Sequence, residues 1–256
     1  MRLAVVVILL IGFVATTHAQ NNNTNEVKAE FPGGLASMKR FIKRTVDTTV
    51  LNDLDPFFVA NNKKNVICSF MIDTLGYVKD IKVEQSVHPL LDEEAIRVIE
   101  LMPRWEPARI HDGNNSIGRP VNTQWNVPII FEDPFHDDII YRKVDKSPLF
   151  PGGNDALMKY LNVYVEKYLT PSEYKRFKND FSNGLSPRTV CNFMIDRDGE
   201  IRRLDILRGS DPILDRIALY IFSGLPDFIP AENEGEKVCT NYTLSAFFKP
   251  SETNPD

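Results

Sequence analysis

The sequence predicts an α+β protein made of two tandem domains, each ordered helix, β-hairpin, helix, strand. Three observations carry that prediction. Distinctive blocks return in the same order in the second half of the chain. Alternating apolar runs flank Asp-x-x-Gly turns, and apolar stripes at helical spacing follow Pro-containing starts.

The repeat is the strongest of the three. Phe31-Pro32-Gly33-Gly34 returns as Phe150-Pro151-Gly152-Gly153, and Phe70-Met71-Ile72-Asp73 as Phe193-Met194-Ile195-Asp196. Gly76 matches Gly199, and Pro89-Leu90-Leu91-Asp92 matches Pro212-Ile213-Leu214-Asp215. Met102-Pro103-Arg104-Trp105-Glu106-Pro107-Ala108 matches Leu225-Pro226-Asp227-Phe228-Ile229-Pro230-Ala231. The period is far longer than the roughly 20–50 residues of a solenoid unit, so each copy holds its own core. A chain of 256 residues also suits two domains. The copies span residues 30–132 and 147–249, joined by a polar linker over 133–146 in which Ile139, Ile140 and Tyr141 can dock.

Within a copy, Phe-Pro-Gly-Gly is a turn and a helix follows. Met38, Phe41, Ile42 and Thr45 fall on one face in the first copy; Leu157, Tyr160, Leu161, Tyr164, Val165 and Tyr168 do so in the second. Thr170-Pro171-Ser172-Glu173 has the Thr cap, the Pro at the first position and the Glu of a capping box, which predicts one more helix there. A hairpin comes next. Val66–Asp73 runs out with Cys68, Phe70 and Ile72 on one face, Gly76 turns the chain, and Tyr77–Glu84 returns. Val190–Asp196, Gly199 and Glu200–Leu207 repeat it. His88-Pro89 and Asp211-Pro212 start the second helix of each copy. Its stripe is Leu91, Ala95, Val98, Ile99 and Met102, echoed by Leu214, Ala218, Ile221, Phe222 and Leu225. Trp125, Val127, Ile129 and Phe131, and their counterparts Tyr242, Leu244, Ala246 and Phe248, alternate along a closing strand. A three-stranded antiparallel sheet with helices on one face buries all of these stripes.

Composition narrows the function. The 35 acidic residues outnumber the 30 basic ones, which argues against nucleic acid or an anionic membrane as the main partner. Residues 1–19 read as a secretory signal cut after Ala19, because one Arg, an apolar core and small residues precede the cut point. The apolar run is shorter than the ~20 residues of a bilayer span; a retained inner-membrane anchor is the alternative. Residues 20–29 form an Asn-rich lead and 250–256 a loose tail. The mature chain is therefore expected outside the cytoplasm, with no membrane span. Cys68, Cys191 and Cys239 make an odd count and read as small buried hydrophobes rather than a disulfide framework.

Catalytic signatures do not emerge. His88, His111 and His136 stand at no metal-ligand spacing, no Ser lies in a nucleophile elbow, and the glycine pairs lack a phosphate-loop Lys. Asp92, Glu93 and Glu94 suit a helix N-terminus, and Asp73 and Asp196 suit turns. No catalytic residue, cofactor or metal is assigned, and the chain is expected not to be an enzyme; a site formed between the two copies is the alternative.

Taken together, Phe-Pro-Gly-Gly, the Asp-x-x-Gly hairpin, the helix ending Met-Pro-x-Trp-x-Pro-Ala and the closing Val-Pro-Ile-Ile-Phe strand resemble the TonB C-terminal domain in its Bacteroidota form. The resemblance covers both copies. It is weaker in the second, where Phe228 replaces the Trp. It implies a protein-interaction module that captures a peptide segment of a partner, such as an outer-membrane receptor, as an added β-strand. An energy transducer with a retained N-terminal anchor is the alternative; about ten residues between the predicted cut and the first domain, at ~3.5 Å each, do not cross a periplasm.

Within that resemblance the closing strands are the candidate edges. Pro128 has no N–H, which suits an edge, whereas Ser245 at the matching position keeps its donor. The second copy is thus expected to offer the better surface, from about Val238 to Phe248. The partner-binding candidates are Val238, Thr240, Tyr242, Leu244 and Ala246, with Val121, Thr123, Trp125 and Val127 in the first copy. On the alternative reading Pro128 only blocks unwanted pairing, and the linker or the other domain covers both edges.

Overall fold

The first copy starts at β1 (Asn25–Val27) and α1 (Gly34–Thr45). Residues 25–61, 64–111, 118–132 and 138–251 are described in the computed structural model. The leader, the lead up to residue 24, His136 and the tail beyond residue 251 lie outside the described residues. Helix α1 buries Met38, Phe41, Ile42 and Thr45, as its spacing predicts. A 3-10 turn (Thr48–Asp53) and the short α2 (Pro56–Asn61) lead to β2 (Asn65–Ile72), β3 (Val78–Gln85) and α3 (Pro89–Glu100). Then come β4 (Ala108–His111), β5 (Arg119–Val121) and β6 (Thr123–Ile130). The main sheet is antiparallel, in the order β3-β2-β6, and β1, β4 and β5 form a second small sheet.

The second copy repeats the plan and adds to it. It contains β7 (Ile140–Tyr141), α4 (Gly153–Leu161), β8 (Asn162–Tyr164), a 3-10 turn (Glu166–Tyr168) and α5 (Pro171–Ser182). After these run β9 (Arg188–Ile195), β10 (Ile201–Arg208), α6 (Pro212–Ser223), β11 (Ala231–Asn233) and β12 (Glu236–Lys249). The core order β10-β9-β12 matches β3-β2-β6, but β7, β8 and β11 also pair with β12. The linker residues Ile140 and Tyr141 dock as β7, in parallel register with Cys239 and Thr240.

Several sequence features act as predicted. The Asp211 carboxylate accepts from the Ile213 N–H at 2.9 Å and the His88 Nδ1 from the Leu90 N–H at 3.2 Å, capping α6 and α3. Thr170 and Glu173 close the capping box of α5. Leu91, Ala95, Val98, Ile99 and Met102 are all buried. Cys68 and Cys191 occupy equivalent, fully buried positions on β2 and β9, and burial pushes their thiols up to about 11 and about 12. Cys239 is buried as well.

Each hairpin is clamped to the chain beyond the second helix. The Gly76 carbonyl accepts from the Trp105 N–H at 2.8 Å, and the Gly199 carbonyl from the Phe228 N–H at 2.8 Å. Both glycines are in the left-handed region, at φ 91° and 88°. A Cβ on either would stand 2.0 Å from the Trp105 carbonyl oxygen or 1.8 Å from that of Phe228. The hairpin glycine and the Trp-or-Phe motif are therefore one structural unit, which explains why both recur together.

One prediction is corrected. The second copy's first helix does not run on to Tyr168; it stops at Leu161, and Asn162-Val163-Tyr164 turn extended and pair in parallel with Phe247-Phe248-Lys249. Asn, Val and Tyr are mediocre helix formers, and Val and Tyr favour strands, so a free strand edge within reach decides the conformation. Tyr160 and Tyr164 are accordingly exposed rather than on a buried face.

The two copies pack through α1 of the first on β10 and α6 of the second. Arg44, 4% exposed, reaches the end of α6. Its Nη1 donates to the carbonyls of Ser223 (3.0 Å) and Leu225 (2.6 Å), and its Nη2 to Asp227 (2.5 Å). A guanidinium on the last carbonyls of a helix satisfies groups that the helix leaves unpaired and complements its dipole. Lys43 pairs with Glu200 at 2.7 Å, Arg97 with Asp205 at 3.2 Å, and the Tyr77 hydroxyl donates to Glu173 at 2.5 Å. Helix α6 also buries Ile217 and Leu219 beyond its predicted stripe, in which Ile221 is only half-buried.

Candidate functional site

In both copies an aromatic cluster fixes the closing strand to the core. Trp105 meets Phe31, Phe70 and Trp125 at centroid distances of 5.4, 5.8 and 4.9 Å. Phe228 meets Phe150, Phe193 and Tyr242 at 5.3, 6.0 and 5.3 Å. The same three elements supply the rings each time: the Phe-Pro-Gly-Gly turn, the first hairpin strand and the closing strand. Four of these contacts are edge-to-face and two are tilted; an edge-to-face pair adds about 0.5–1.5 kcal/mol beyond area burial. The closing strand is thereby held rigid along its inner side.

Its outer side differs between the copies. Strand β6 pairs with β2 from Thr123↔Ile72 to Ile130↔Asn65, and among the described residues no strand pairs with its other edge. The Phe131 N–H donates to the Lys64 carbonyl, which fixes the alternation. Thr123, Trp125, Val127 and Ile129 direct their main-chain groups to β2, so Gln124, Asn126, Pro128 and Ile130 direct theirs outward. Gln124, Asn126 and Ile130 are also exposed. Pro128 is thus at an outward position, where its missing N–H costs the ladder nothing.

Strand β12 pairs with β9 from Thr240↔Ile195 to Phe247↔Arg188. Its outer edge is already occupied at both ends. Residues Glu236, Lys237 and Val238 pair with β11, Cys239 and Thr240 with β7, and Phe247, Phe248 and Lys249 with β8. What remains is a window from Asn241 to Ala246, whose outward groups belong to Asn241, Thr243 and Ser245.

The residues expected at the site therefore stand as follows. Thr123, Trp125 and Val127 lie on β6, and Thr240, Tyr242, Leu244 and Ala246 on β12, but all of them turn their main-chain groups toward β2 or β9. Val238 pairs with Ala231 and Val121 with Ala108, inside the β11–β12 and β4–β5 hairpins. On both strands the outward-facing groups belong to the alternate residues. The second copy was expected to offer the better surface, from about Val238 to Phe248; of that span β7, β8 and β11 fill the ends. Two participants went unnoticed: β8, signalled by the Asn-Val-Tyr-Val run, and Arg44, signalled by a cation next to the buried stripe of α1.

Each copy is a small α+β unit whose closing strand is anchored by aromatics, and in the first copy that strand is paired on one side only among the described residues. More specifically, the chain belongs to the TonB C-terminal family: the family described as Gram-negative bacterial TonB protein C-terminal matches residues 61–132 and 181–250, one segment in each copy. Both segments run from just before or at the hairpin to the end of the closing strand. The same comparison made with curated proteins and with solved structures gave no match. No helix among the described residues is long and apolar enough to cross a membrane.

Proposed function

We propose that this protein is an exported, periplasmic interaction module that captures an extended segment of a partner protein as an added strand on β6. The observation that carries the reading is the one-sided pairing of β6 beside the multiply covered β12. Main-chain groups of Gln124, Asn126 and Ile130 supply affinity, and the exposed side chains along the edge supply choice. Pro128 interrupts the donors, so the incoming strand registers on Gln124 and Asn126. Family membership favours a periplasm-facing segment of an outer-membrane receptor as the partner. The reading assigns no catalysis, cofactor or metal.

A proline at a second outward position tests it. Asn126→Pro removes an outward N–H without touching the ladder to β2, and Thr243→Pro does the same on β12. The probe is a set of fluorescent peptides copied from periplasm-facing segments of outer-membrane receptors. Binding lost in Asn126→Pro and kept in Thr243→Pro supports the reading; the reverse pattern moves the site to the second copy.

Family membership also favours a second reading, in which the same capture is coupled to force through a membrane tether. N-terminal sequencing of the protein from the cell envelope separates the two. A start at Gln20 in the soluble fraction supports the free module, and a start at Met1 in the inner membrane supports the transducer.

A further inference from the structure

Beside the contact of α1 with α6, a groove of about 490 Å³ opens between the two copies. Three cations line it: Arg40 from α1, Lys159 from α4 and Lys167 from the 3-10 turn that follows β8. Four tyrosines supply its walls, namely Tyr160, Tyr164, Tyr168 and Tyr220. Among the described residues no Asp or Glu lines it. Among the described residues none of the three cations is ion-paired; Arg40 donates only to Ser37 at 3.4 Å, and the Lys167 Nζ lies 4.8 Å from the centre of the Tyr168 ring. The neighbouring Glu166 is engaged by the Ser251 hydroxyl. Burial raises the Tyr220 phenol, with Tyr168 adding to the rise and Lys167 and Arg40 opposing it.

We infer that this groove is a binding site for a short acidic peptide carrying an apolar or aromatic side chain, distinct from the β6 edge. The chain as a whole carries a net charge of −5, yet here three cations converge without a counter-charge. A concave site of one sign concentrates ligands of the other. The rings are braced from behind, Tyr220 against Phe31 at 5.9 Å and Tyr160 against Phe150 at 5.7 Å, so their free faces are fixed in advance. That much aromatic surface is left unused by a purely charged polymer and is used by a peptide with one large side chain. The volume falls within the roughly 300–1,000 Å³ typical of ligand sites. Because Tyr220 and Arg40 belong to different copies, the site exists only in the tandem arrangement.

The test uses the full chain and a fluorescein-labelled Glu-Glu-Phe-Glu-Glu peptide with blocked ends, read by anisotropy at low salt. Saturable binding is expected. It should weaken as salt rises, weaken at least tenfold in the Arg40→Glu/Lys167→Glu double variant, and resist competition by Lys-Lys-Phe-Lys-Lys. Both substituted residues are exposed, and circular dichroism and thermal melting establish that the variant folds; Arg40→Gln/Lys167→Gln serves if it does not. Asn126→Pro should bind this peptide normally, which separates the groove from the strand edge. Absence of saturable binding overturns the inference, as does binding unchanged by the double variant. Displacement of the peptide by a heparin fragment or inorganic phosphate at equal concentration reassigns the groove to simple polyanions and overturns it too.

Discussion

Lys43-Arg44-Thr45 and Asn162-Val163-Tyr164 occupy the same place in the two copies, after the first turns of the Phe-Pro-Gly-Gly helix. In the first copy the helix continues, and Arg44 becomes the latch on α6. In the second the helix ends three residues sooner in sequence alignment, and the chain becomes β8, the cover over the end of β12. Three substituted residues thus separate a copy that holds the junction, its closing edge unpaired among the described residues, from one that covers the end of its own edge. The difference between the copies follows from local conformational preference plus one buried cation.

The comparison can be broken or sharpened by mutation. The largest effect is expected where the copies are alike. Gly76→Ala and Gly199→Ala each push a Cβ into a backbone oxygen at positive φ, and each should cost about 4 kcal/mol in urea unfolding. A mild effect in one copy would mean that its hairpin clamp is not equivalent. Next comes the latch, where the copies differ. Arg44→Ala leaves two carbonyls at the end of α6 without their donor and should cost about 3 kcal/mol. Lys43→Ala, at a half-exposed pair, should cost less than about 1 kcal/mol. Equal losses would place the junction's strength in its surface charges. The smallest effect is expected at the edge itself. Pro128→Ser gives β6 the residue that β12 has at Ser245 and restores one outward donor, worth about 1 kcal/mol, so receptor-segment peptides should bind about fivefold tighter. Weaker binding would show that the incoming strand uses the Pro128 ring.

How much of this was legible in the sequence follows from the physics of each feature. Both hairpins, both second helices and the capping box were readable because periodicity and turn chemistry are local. The edge strands were readable from alternation, and Pro128 pointed to an outward position. The alternation, however, marks side chains that enter the core, and in an antiparallel ladder those same residues turn their main chain inward here. The outward main-chain groups therefore fall on Gln124, Asn126 and Ile130, which carry no pattern of their own. The fate of Asn162–Tyr164 was not legible because Tyr160, Tyr164 and Tyr168 mimic a helical stripe, and only the presence of β12 alongside tips the segment to a strand. Arg44 shows no signal of its partner, since the carbonyls it meets lie 179 and 181 residues away.

The central claim is that the outer edge of β6 is open where that of β12 is covered. Residue-resolved amide hydrogen exchange on the free protein tests it most directly, at Ile130 and its counterpart Phe247. The account predicts fast exchange at Gln124, Asn126 and Ile130, beside protected Val127 and Ile129, and slow exchange at Phe247 and Lys249, which β8 pairs. Protection of Ile130 equal to that of Phe247 would contradict it.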